Sequence, residues 1–443
     1  MAILQLIAAR NIFAESRIQF RIPLDAGTTA SGKQSHLTQP GPVMIVRLAV
    51  LLIAMVLPVR DYPGWHSGRN EPVPRHYFGL HIHRAAAGTP WPSVEFGSWR
   101  LWDAGVAWPQ LEPDRNRWDF RLLDRYVELA ARHNVEILLT LGLTPEWASA
   151  RPSESSPYKA GNAAEPKNIS DWEEYVRTVS MRYRGKIHEY EIWNEPNARA
   201  TYSGSPETMA ELARTAYHVL KSVDPSVLVV SPSPTAATGV SWLGKYLSSE
   251  GCTASDIIGY HFYVTPSQPE AMIQLVDDVK KILQQHHCAG KPIWNTEAGW
   301  AAPKSFSSEV EAAGYLMRTL IINWLMGIDR VYWYAWDNHN WSTLATTNSD
   351  TNEASSAGLA YGVAERWLTG SVLDWCSEQR TGVWSCVLHG HGSTAYIVWS
   401  SLGSSTYSIP HDWVIRTIQD WRSRSSEATT KVNVSEAPAS LTK

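Results

Sequence analysis

The sequence has no excess of charge of one sign and few cysteines. Its 443 residues carry 39 Lys and Arg against 43 Asp and Glu, a formal net charge of −4. This balance gives no electrostatic reason to expect nucleic acid or an acidic membrane as partner. Four cysteines are too few for a disulfide scaffold. No Gly-rich phosphate loop follows the first predicted strand, which argues against a doubly wound nucleotide-binding sheet. We expect a neutral substrate and no cofactor.

Long hydrophobic runs are also scarce. The strongest, Leu48–Leu57, follows the short basic start Met44–Arg47 and is too short to span a bilayer. This layout predicts a signal peptide over residues 44–60 that begins at Met44, and therefore a secreted, periplasmic or cell-envelope protein without a transmembrane domain. A buried strand or helix is the alternative, because no clear cleavage site follows. Residues 1–43 lack periodicity, and we expect a non-structural leader there.

The four cysteines fall into two pairs. Cys376 and Cys386 flank a segment that is typical of a hairpin or short loop, so their side chains can meet. Cys252 and Cys288 each precede a strand-like run by four residues, which puts both thiols at one end of a sheet if those strands are neighbours. Two disulfides agree with export. Four buried free thiols in a cytosolic protein are the alternative.

Apolar runs of strand length alternate with helical segments between residues 74 and 350. Ser205, for example, is placed to cap a helix whose first residue is Pro206. Eight such β-then-α units predict a (β/α)8 TIM barrel, an α/β fold whose active-site groups lie at the C-terminal ends of the strands. The predicted strands are Tyr77–His83, Ser98–Asp103, Glu136–Gly142, Ile187–Trp193, Val227–Ser231, Asp256–Tyr263, Pro292–Thr296 and Arg330–Trp336.

The pattern changes after about residue 350. Short alternating runs with Gly and Ser turns predict a small, β-sandwich-like appendage over residues 351–422. Residues 423–443 are polar and aperiodic, so we expect a disordered tail. The sequence also holds 22 Trp, and indole rings are good platforms for sugar rings as well as core fillers. Most of them are expected in the core.

Two glutamates carry the sharpest signal. Tyr190-Glu191-Ile192-Trp193-Asn194-Glu195-Pro196-Asn197 ends the fourth predicted strand, and Trp294-Asn295-Thr296-Glu297 ends the seventh. Cleavage of a glycosidic bond needs one carboxylic acid to protonate the leaving oxygen and one carboxylate to attack or stabilise the anomeric carbon. A separation of roughly 5–5.5 Å gives retention of configuration, and a wider gap gives inversion.

These motifs resemble those of the clan A retaining glycoside hydrolases, and the extended form YEIWNEPN is most similar to family 39 and its relatives. The resemblance runs from about Tyr77 into the appendage. It implies cleavage of an oligo- or polysaccharide by double displacement, with Glu195 as acid/base, Glu297 as nucleophile and Asn194 as the partner of the sugar 2-hydroxyl. Further segments that carry the resemblance are Arg100-Leu101-Trp102-Asp103, Leu111-Glu112-Pro113 and Thr144-Pro145-Glu146-Trp147-Ala148.

The nucleophile must stay ionised while the acid stays protonated, so cations and donors should crowd Glu297 rather than Glu195. Arg100 and Tyr263 are the candidates, and clan A members place an Arg and a Tyr at such sites. For Arg100 the alternative is a buried structural pair with Glu191.

Two further side chains are predicted to bind substrate. His261 either borders the acid/base or is an interior histidine with satisfied hydrogen bonds. Trp336, at the end of the eighth strand, resembles the platform beneath the reacting sugar, and core packing is its alternative.

Other functions are compatible with parts of this pattern. His81 and His83 form an H-x-H pair that, with His261 and Asp337, is reminiscent of metal-dependent amidohydrolase-type barrels. Strand five offers no histidine, however, and no metal is expected. A non-catalytic carbohydrate-binding protein on the same scaffold, and a transglycosidase that uses the same glutamates, are further alternatives.

Overall fold

The computed structural model describes residues 64–86, 88–300, 306–339, 344–390 and 392–443. The predicted leader and signal peptide, residues 1–60, lie outside the described residues. Among the described residues, no helix is both long and apolar enough to cross a membrane.

Eight parallel strands form a barrel. They are β2 Phe78–Leu80, β3 Ser98–Leu101, β4 Glu136–Leu141, β5 Glu189–Ile192, β6 Leu228–Val230, β7 Ile258–Tyr260, β8 Ile293–Gly299 and β9 Arg330–Tyr334. Their neighbour order is β6-β5-β4-β3-β2-β9-β8-β7, and parallel bridges from Val230 to Ile257 and from Thr235 to His261 join β6 to the chain around β7 and close the barrel. The predicted (β/α)8 barrel is confirmed, with every strand at its predicted run.

Amphipathic helices cover the outside of the barrel. Ser205 caps one of them as predicted, since its side chain accepts a hydrogen bond from the Thr208 amide at 3.2 Å, and the helix buries Leu212, Ala216 and Leu220. The helices of the described chain are α1 Trp108–Leu111, α2 Arg121–Arg132, α3 Ile169–Arg182, α4 Pro206–Val223, α5 Ala236–Ser248, α6 Met272–Gln285, α7 Glu309–Leu325 and α8 Ser356–Leu368. Short 3-10 turns lie at Arg75–Tyr77, Glu146–Ala148, Gly251–Ala254, Pro269–Ala271 and His411–Trp413.

The appendage consists of antiparallel strands. They are β1 Gly64–His66, β10 Val372–Glu378, β11 Val383–Gly390, β12 Ser393–Ser400, β13 Ser405–Ser408, β14 Thr417–Gln419, β15 Ser425–Glu427, β16 Lys431–Val434 and β17 Ala439–Thr442. Seven of them form a sheet in the order β1-β10-β11-β12-β17-β14-β15, faced by the pair β13-β16. A small apolar core that includes Val398, Tyr407 and Val432 lies between the sheet and the pair, so the β-sandwich-like prediction is confirmed.

Two predicted boundaries are wrong. Residues 423–443 are not a disordered tail, because β15, β16 and β17 lie there and Leu441 is fully buried. These strands lack a continuous apolar run: β15 is entirely polar and exposed, and in β16 only Val432 and Val434 are buried. The barrel also continues past residue 350, since α8 packs against α7.

Both predicted disulfides are present. Cys252 pairs with Cys288, before the neighbouring strands β7 and β8 and thus at the N-terminal end of the barrel. Cys376 pairs with Cys386 across the hairpin of β10 and β11, where the two residues are direct register partners. We refer to them as the barrel disulfide and the hairpin disulfide.

Candidate active site

The predicted site residues, with the exception of Trp336, meet at the C-terminal end of the barrel. Arg100 belongs to β3 and Glu297 to β8, while Asn194 with Glu195 and His261 with Tyr263 directly follow β5 and β7. Parallel strands all end on the same rim, so residues far apart in the chain converge there.

The backbone that presents Glu195 is strained. Trp193 has φ 64° and Glu195 φ 45°, values in the left-handed region that a side chain with a Cβ rarely adopts. The neighbouring strands hold this turn: the Trp193 amide donates to the Leu141 carbonyl at 2.7 Å and the Glu195 amide to the Ser233 carbonyl at 3.0 Å. Such strain is typical of residues positioned for function.

Glu195 and Glu297 face each other across the site. One carboxylate oxygen of each, together with a ring nitrogen of His261, forms a set whose members all lie within 4.8 Å of one another. His261 Nδ1 lies 3.0 Å from Glu195 Oε1, and the Tyr263 hydroxyl donates to Glu297 Oε1 at 3.0 Å. Glu195 therefore contacts a histidine, and Glu297 accepts a hydrogen bond from a phenol.

The guanidinium of Arg100 is fully buried and forks between three partners. It donates to Glu191 Oε2 at 2.7 Å, to Glu297 Oε2 at 2.9 Å and to Asn194 Oδ1 at 2.7 Å. The two interpretations of Arg100, as a structural partner of Glu191 and as a cation beside Glu297, are thus both present in one side chain. A planar fork of donors suits this arrangement and an ammonium group does not.

Glu191 is the buried acceptor that holds Arg100 in place. It also accepts from Thr140 at 2.6 Å and from Ser233 at 2.6 Å, and Thr296 donates to Ser233 at 2.9 Å. Burial raises the pKa of Glu191, but the Arg100 charge, the His261 charge and the hydrogen bonds from Ser233 and Thr140 together outweigh burial, and the net pKa lies below its ordinary value. Glu191 therefore stays ionised and fixes the position of Arg100.

Burial and His261 set the charge of the glutamate pair in the unliganded site. Burial raises the pKa of Glu195, yet hydrogen bonding to His261 and its charge bring the net pKa below the ordinary value. Burial also raises the pKa of Glu297; His261 and Arg100 lower it and the Glu195 charge raises it, and the net direction is upward. Two carboxyl groups this close share one proton, and in the unliganded site these opposite directions place that proton on Glu297.

Tyr263 is a donor only. Burial first, and then the nearby charge of Glu297, raise the pKa of its hydroxyl well above the ordinary value. The hydroxyl consequently keeps its proton and directs it at Glu297 Oε1.

The structure does not bring the H-x-H pair into a metal centre. His81 Nε2 lies 3.1 Å from the Thr296 carbonyl oxygen, and Asp337 accepts from the backbone amide of His83. In the part of the chain that is described, the one set of three potential ligands within reach of each other is Glu195, His261 and Glu297. The Arg100 cation already occupies one oxygen of Glu297, which disfavours a metal cation there.

Trp336 gives no support to its predicted role as a platform. Its residue surface is only 1% exposed, and its amide donates to the His81 carbonyl at 2.8 Å. Tyr334, two residues earlier, donates from its hydroxyl to Asp103 Oδ2 at 2.9 Å. The platform role of Trp336 stays a prediction.

Two family models match parts of the chain. Residues 165–361 match a family model described as a glycosyl hydrolase catalytic core, and residues 101–191 match one described as a beta-galactosidase. The first match includes both glutamates. No curated protein sequence matches the chain.

Solved structures share the fold at low sequence identity. A family 39 glycoside hydrolase from Bacteroides cellulosilyticus WH2 is 18% identical with TM-score 0.66, over 84% of this chain and 81% of that one. A family 39 beta-xylosidase from Caulobacter crescentus is 15% identical with TM-score 0.59, over 86% and 98%. A glucosidase from Croceicoccus marinus is 15% identical with TM-score 0.58, over 82% and 83%. The predicted resemblance to clan A enzymes and the predicted glycosidase class are confirmed.

Proposed function

We propose that the protein is a retaining O-glycoside hydrolase that cleaves a neutral oligo- or polysaccharide, with Glu297 as nucleophile and Glu195 as acid/base. The observation that carries the proposal is the approach of the two carboxyl groups, with oxygens within 4.8 Å. At roughly 5 Å the second carboxylate attacks the anomeric carbon directly, whereas an inverting enzyme needs a gap of about 6.5–9.5 Å to seat a water molecule.

In the first half-reaction a Glu297 oxygen bonds to the anomeric carbon as the bond to the leaving oxygen breaks, and Glu195 transfers its proton to that oxygen. In the second, Glu195 removes a proton from water, the water oxygen bonds to the anomeric carbon, and the bond to Glu297 breaks. The assignment of roles rests on contacts: Arg100 at 2.9 Å and Tyr263 at 3.0 Å both donate to Glu297 and stabilise it as an anion.

In the proposed roles the shared proton of the pair resides on Glu195 when the enzyme reacts. Arg100 keeps its charge and, together with the Tyr263 hydroxyl, stabilises the anion of Glu297.

Asn194 is proposed to bind the sugar 2-hydroxyl. Arginine has no acceptor atom, so the contact with Arg100 at 2.7 Å assigns the amide oxygen to that side. The Asn194 amide nitrogen is then left to donate toward the substrate, where a hydrogen bond to the 2-hydroxyl strengthens in the transition state. The Arg100 contact thus fixes the amide orientation before a sugar arrives.

Two disulfides and the signal-like segment at 44–60 support the proposal that the protein is exported. The substrate is proposed to be a β-linked neutral sugar, and xylosides and glucosides are the first probes because the similar structures include a beta-xylosidase and a glucosidase. Peptide mapping without reduction tests the disulfides in protein recovered from the cell exterior.

Proton NMR of the first-formed product tests the function. A panel of 4-nitrophenyl β-glycosides identifies a substrate, and the anomeric signals are followed in D2O before mutarotation. We expect the first product to have the configuration of the substrate. Glu297→Gln serves as the control for contaminating activity. An inverted first product would contradict the double displacement, and absence of turnover across the panel and across polysaccharides would favour the non-catalytic binding protein.

A further inference from the structure

A cavity lies at the C-terminal end of β3 and in the segment that follows it. Its volume is about 210 Å³, enough for about one sugar ring. The side chains that give it chemical character are Trp102, Asp103, Gln110 and Tyr158. None of these residues belongs to the reacting pair or contacts it by a hydrogen bond among the described contacts.

Asp103 is the polar centre of this cavity. Its Oδ1 accepts from the Tyr158 hydroxyl at 3.1 Å and its Oδ2 from the Tyr334 hydroxyl at 2.9 Å. The residue is exposed and has φ 57°, a left-handed backbone that is uncommon outside glycine and typical of functional positions. Each carboxylate oxygen has two acceptor sites, so each retains one for a ligand while the phenols hold the group in place.

The cavity is connected to the strand that carries the nucleophile. Tyr334, whose hydroxyl donates to Asp103 at 2.9 Å, is the register partner of Gly299, two residues after Glu297 on β8. The pKa of Tyr334 is raised well above its ordinary value by burial first and then by the charges of Asp103 and Glu297. Asp103 is also one of the charges that raise the pKa of Glu297. Because Glu297 bonds to the sugar that is retained and Glu195 faces the leaving oxygen, a cavity next to Glu297 lies on the side of the retained sugars.

The lining of the cavity points to a neutral ligand. It contains no Lys, Arg or His, so an anionic sugar would meet the Asp103 carboxylate without compensation. A carboxylate with one free acceptor site on each oxygen matches two adjacent hydroxyl groups, and the Gln110 amide and the Trp102 indole supply a donor and an apolar face. This combination suits a vicinal diol on a sugar ring.

We propose that this cavity binds the second sugar on the non-reducing side of the scissile bond, and that Asp103 selects a neutral sugar by accepting hydrogen bonds from two adjacent hydroxyls. The proposal rests on the retaining-hydrolase function and deepens it. It predicts that the enzyme prefers glycosides with two sugars before the leaving group over those with one.

The test compares 4-nitrophenyl mono- and diglycosides of whichever sugar the wild-type enzyme cleaves, for example the β-xyloside and the β-xylobioside. Asp103→Asn should lower kcat/KM for the diglycoside by about tenfold to a hundredfold, the effect expected for hydrogen bonds to a charged group. Any change in Glu297 through the lost Asp103 charge affects both substrates equally, so the ratio of the two kcat/KM values isolates the subsite. Tyr158→Phe should give a smaller fall in that ratio.

Asp374→Asn, an exposed carboxylate on the appendage, is the matched control and should leave the ratio unchanged. The subsite would be overturned if Asp103→Asn changed kcat/KM by the same factor for the monoglycoside and the diglycoside, or changed neither value. If the wild-type enzyme cleaves no glycoside, the hydrolase function fails instead, and calorimetric binding of xylotriose and cellotriose to wild type and to Asp103→Asn then decides the subsite separately: equal affinities or no binding would overturn it.

Discussion

Replacing Tyr263 with Phe tests the claim that the nucleophile is kept ionised by its donors. The change removes one hydroxyl, which donates to Glu297 Oε1 at 3.0 Å, and leaves the ring in place. A hydrogen bond to a charged acceptor contributes about 1.5–3 kcal/mol. One pKa unit corresponds to about 1.4 kcal/mol, so the pKa of Glu297 should rise by about one to two units.

The sign follows from which form the donor stabilises. Tyr263 favours the carboxylate, so its loss favours the protonated form and raises the pKa of Glu297. The acidic limb of the kcat/KM profile, which reports the ionisation of the free enzyme's nucleophile, should therefore move to higher pH by about one to two units. Well below that limb the variant should be about tenfold to a hundredfold less active than the wild type, while activity near the optimum changes less.

Initial rates across pH with an activated aryl glycoside measure this shift. Tyr175→Phe is the matched control, because the Tyr175 hydroxyl is buried and has no hydrogen-bond partner among the described residues. It should leave both limbs in place. A Tyr263→Phe enzyme with unchanged melting temperature whose acidic limb stays in place, or moves to lower pH, would refute the reasoning.

Three further predictions concern stability. Burial raises the pKa of Asp337, but hydrogen bonds from His83 and the other lowering interactions outweigh burial and bring the pKa to about 2 from an ordinary 3.8. Asp337→Asn should therefore lower the free energy of unfolding in urea by about 2 kcal/mol above pH 4, and this difference should vanish as the pH falls to 2. Loss of the barrel disulfide should lower the free energy of unfolding by about 4 kcal/mol and of the hairpin disulfide by about 3 kcal/mol, measured on Cys→Ser pairs. A chain that begins at Asp61 should fold and be active, whereas one that begins at Pro72 lacks β1 and the stacking of Trp65 on Trp384 at 4.8 Å, and should melt at lower temperature.

The barrel could be predicted from sequence because its strands are buried on both faces and form almost continuous apolar runs. In β4, for instance, Leu138, Leu139 and Leu141 are all buried. The strands β15 to β17 could not be predicted from sequence, because short strands rich in polar residues are stabilised by partners that are distant in the chain. Ile418 pairs with Leu441, and neither residue predicts this alone.

The two glutamates could be predicted because each ends a strand within a recognisable motif. The details of the site depend on where a strand leaves the barrel and on which side chains meet in space. Trp336 and Tyr334 illustrate the first point, since they lie two positions apart at the same strand end and the sequence alone does not say which of them contacts Asp103. Asp103 was passed over because of the second, since its partners Tyr158 and Tyr334 are 55 and 231 positions away.

The most direct test of the central claim is the stereochemistry of azide rescue in Glu297→Ala and Glu195→Ala. Without its nucleophile, Glu297→Ala should be inactive, and azide should restore turnover by direct attack and give a glycosyl azide of inverted configuration. Glu195→Ala should still form the glycosyl-enzyme from substrates with good leaving groups, and azide should then give a product of retained configuration. Reversed outcomes would exchange the two roles, and wild-type activity of both variants on a natural substrate would contradict the account.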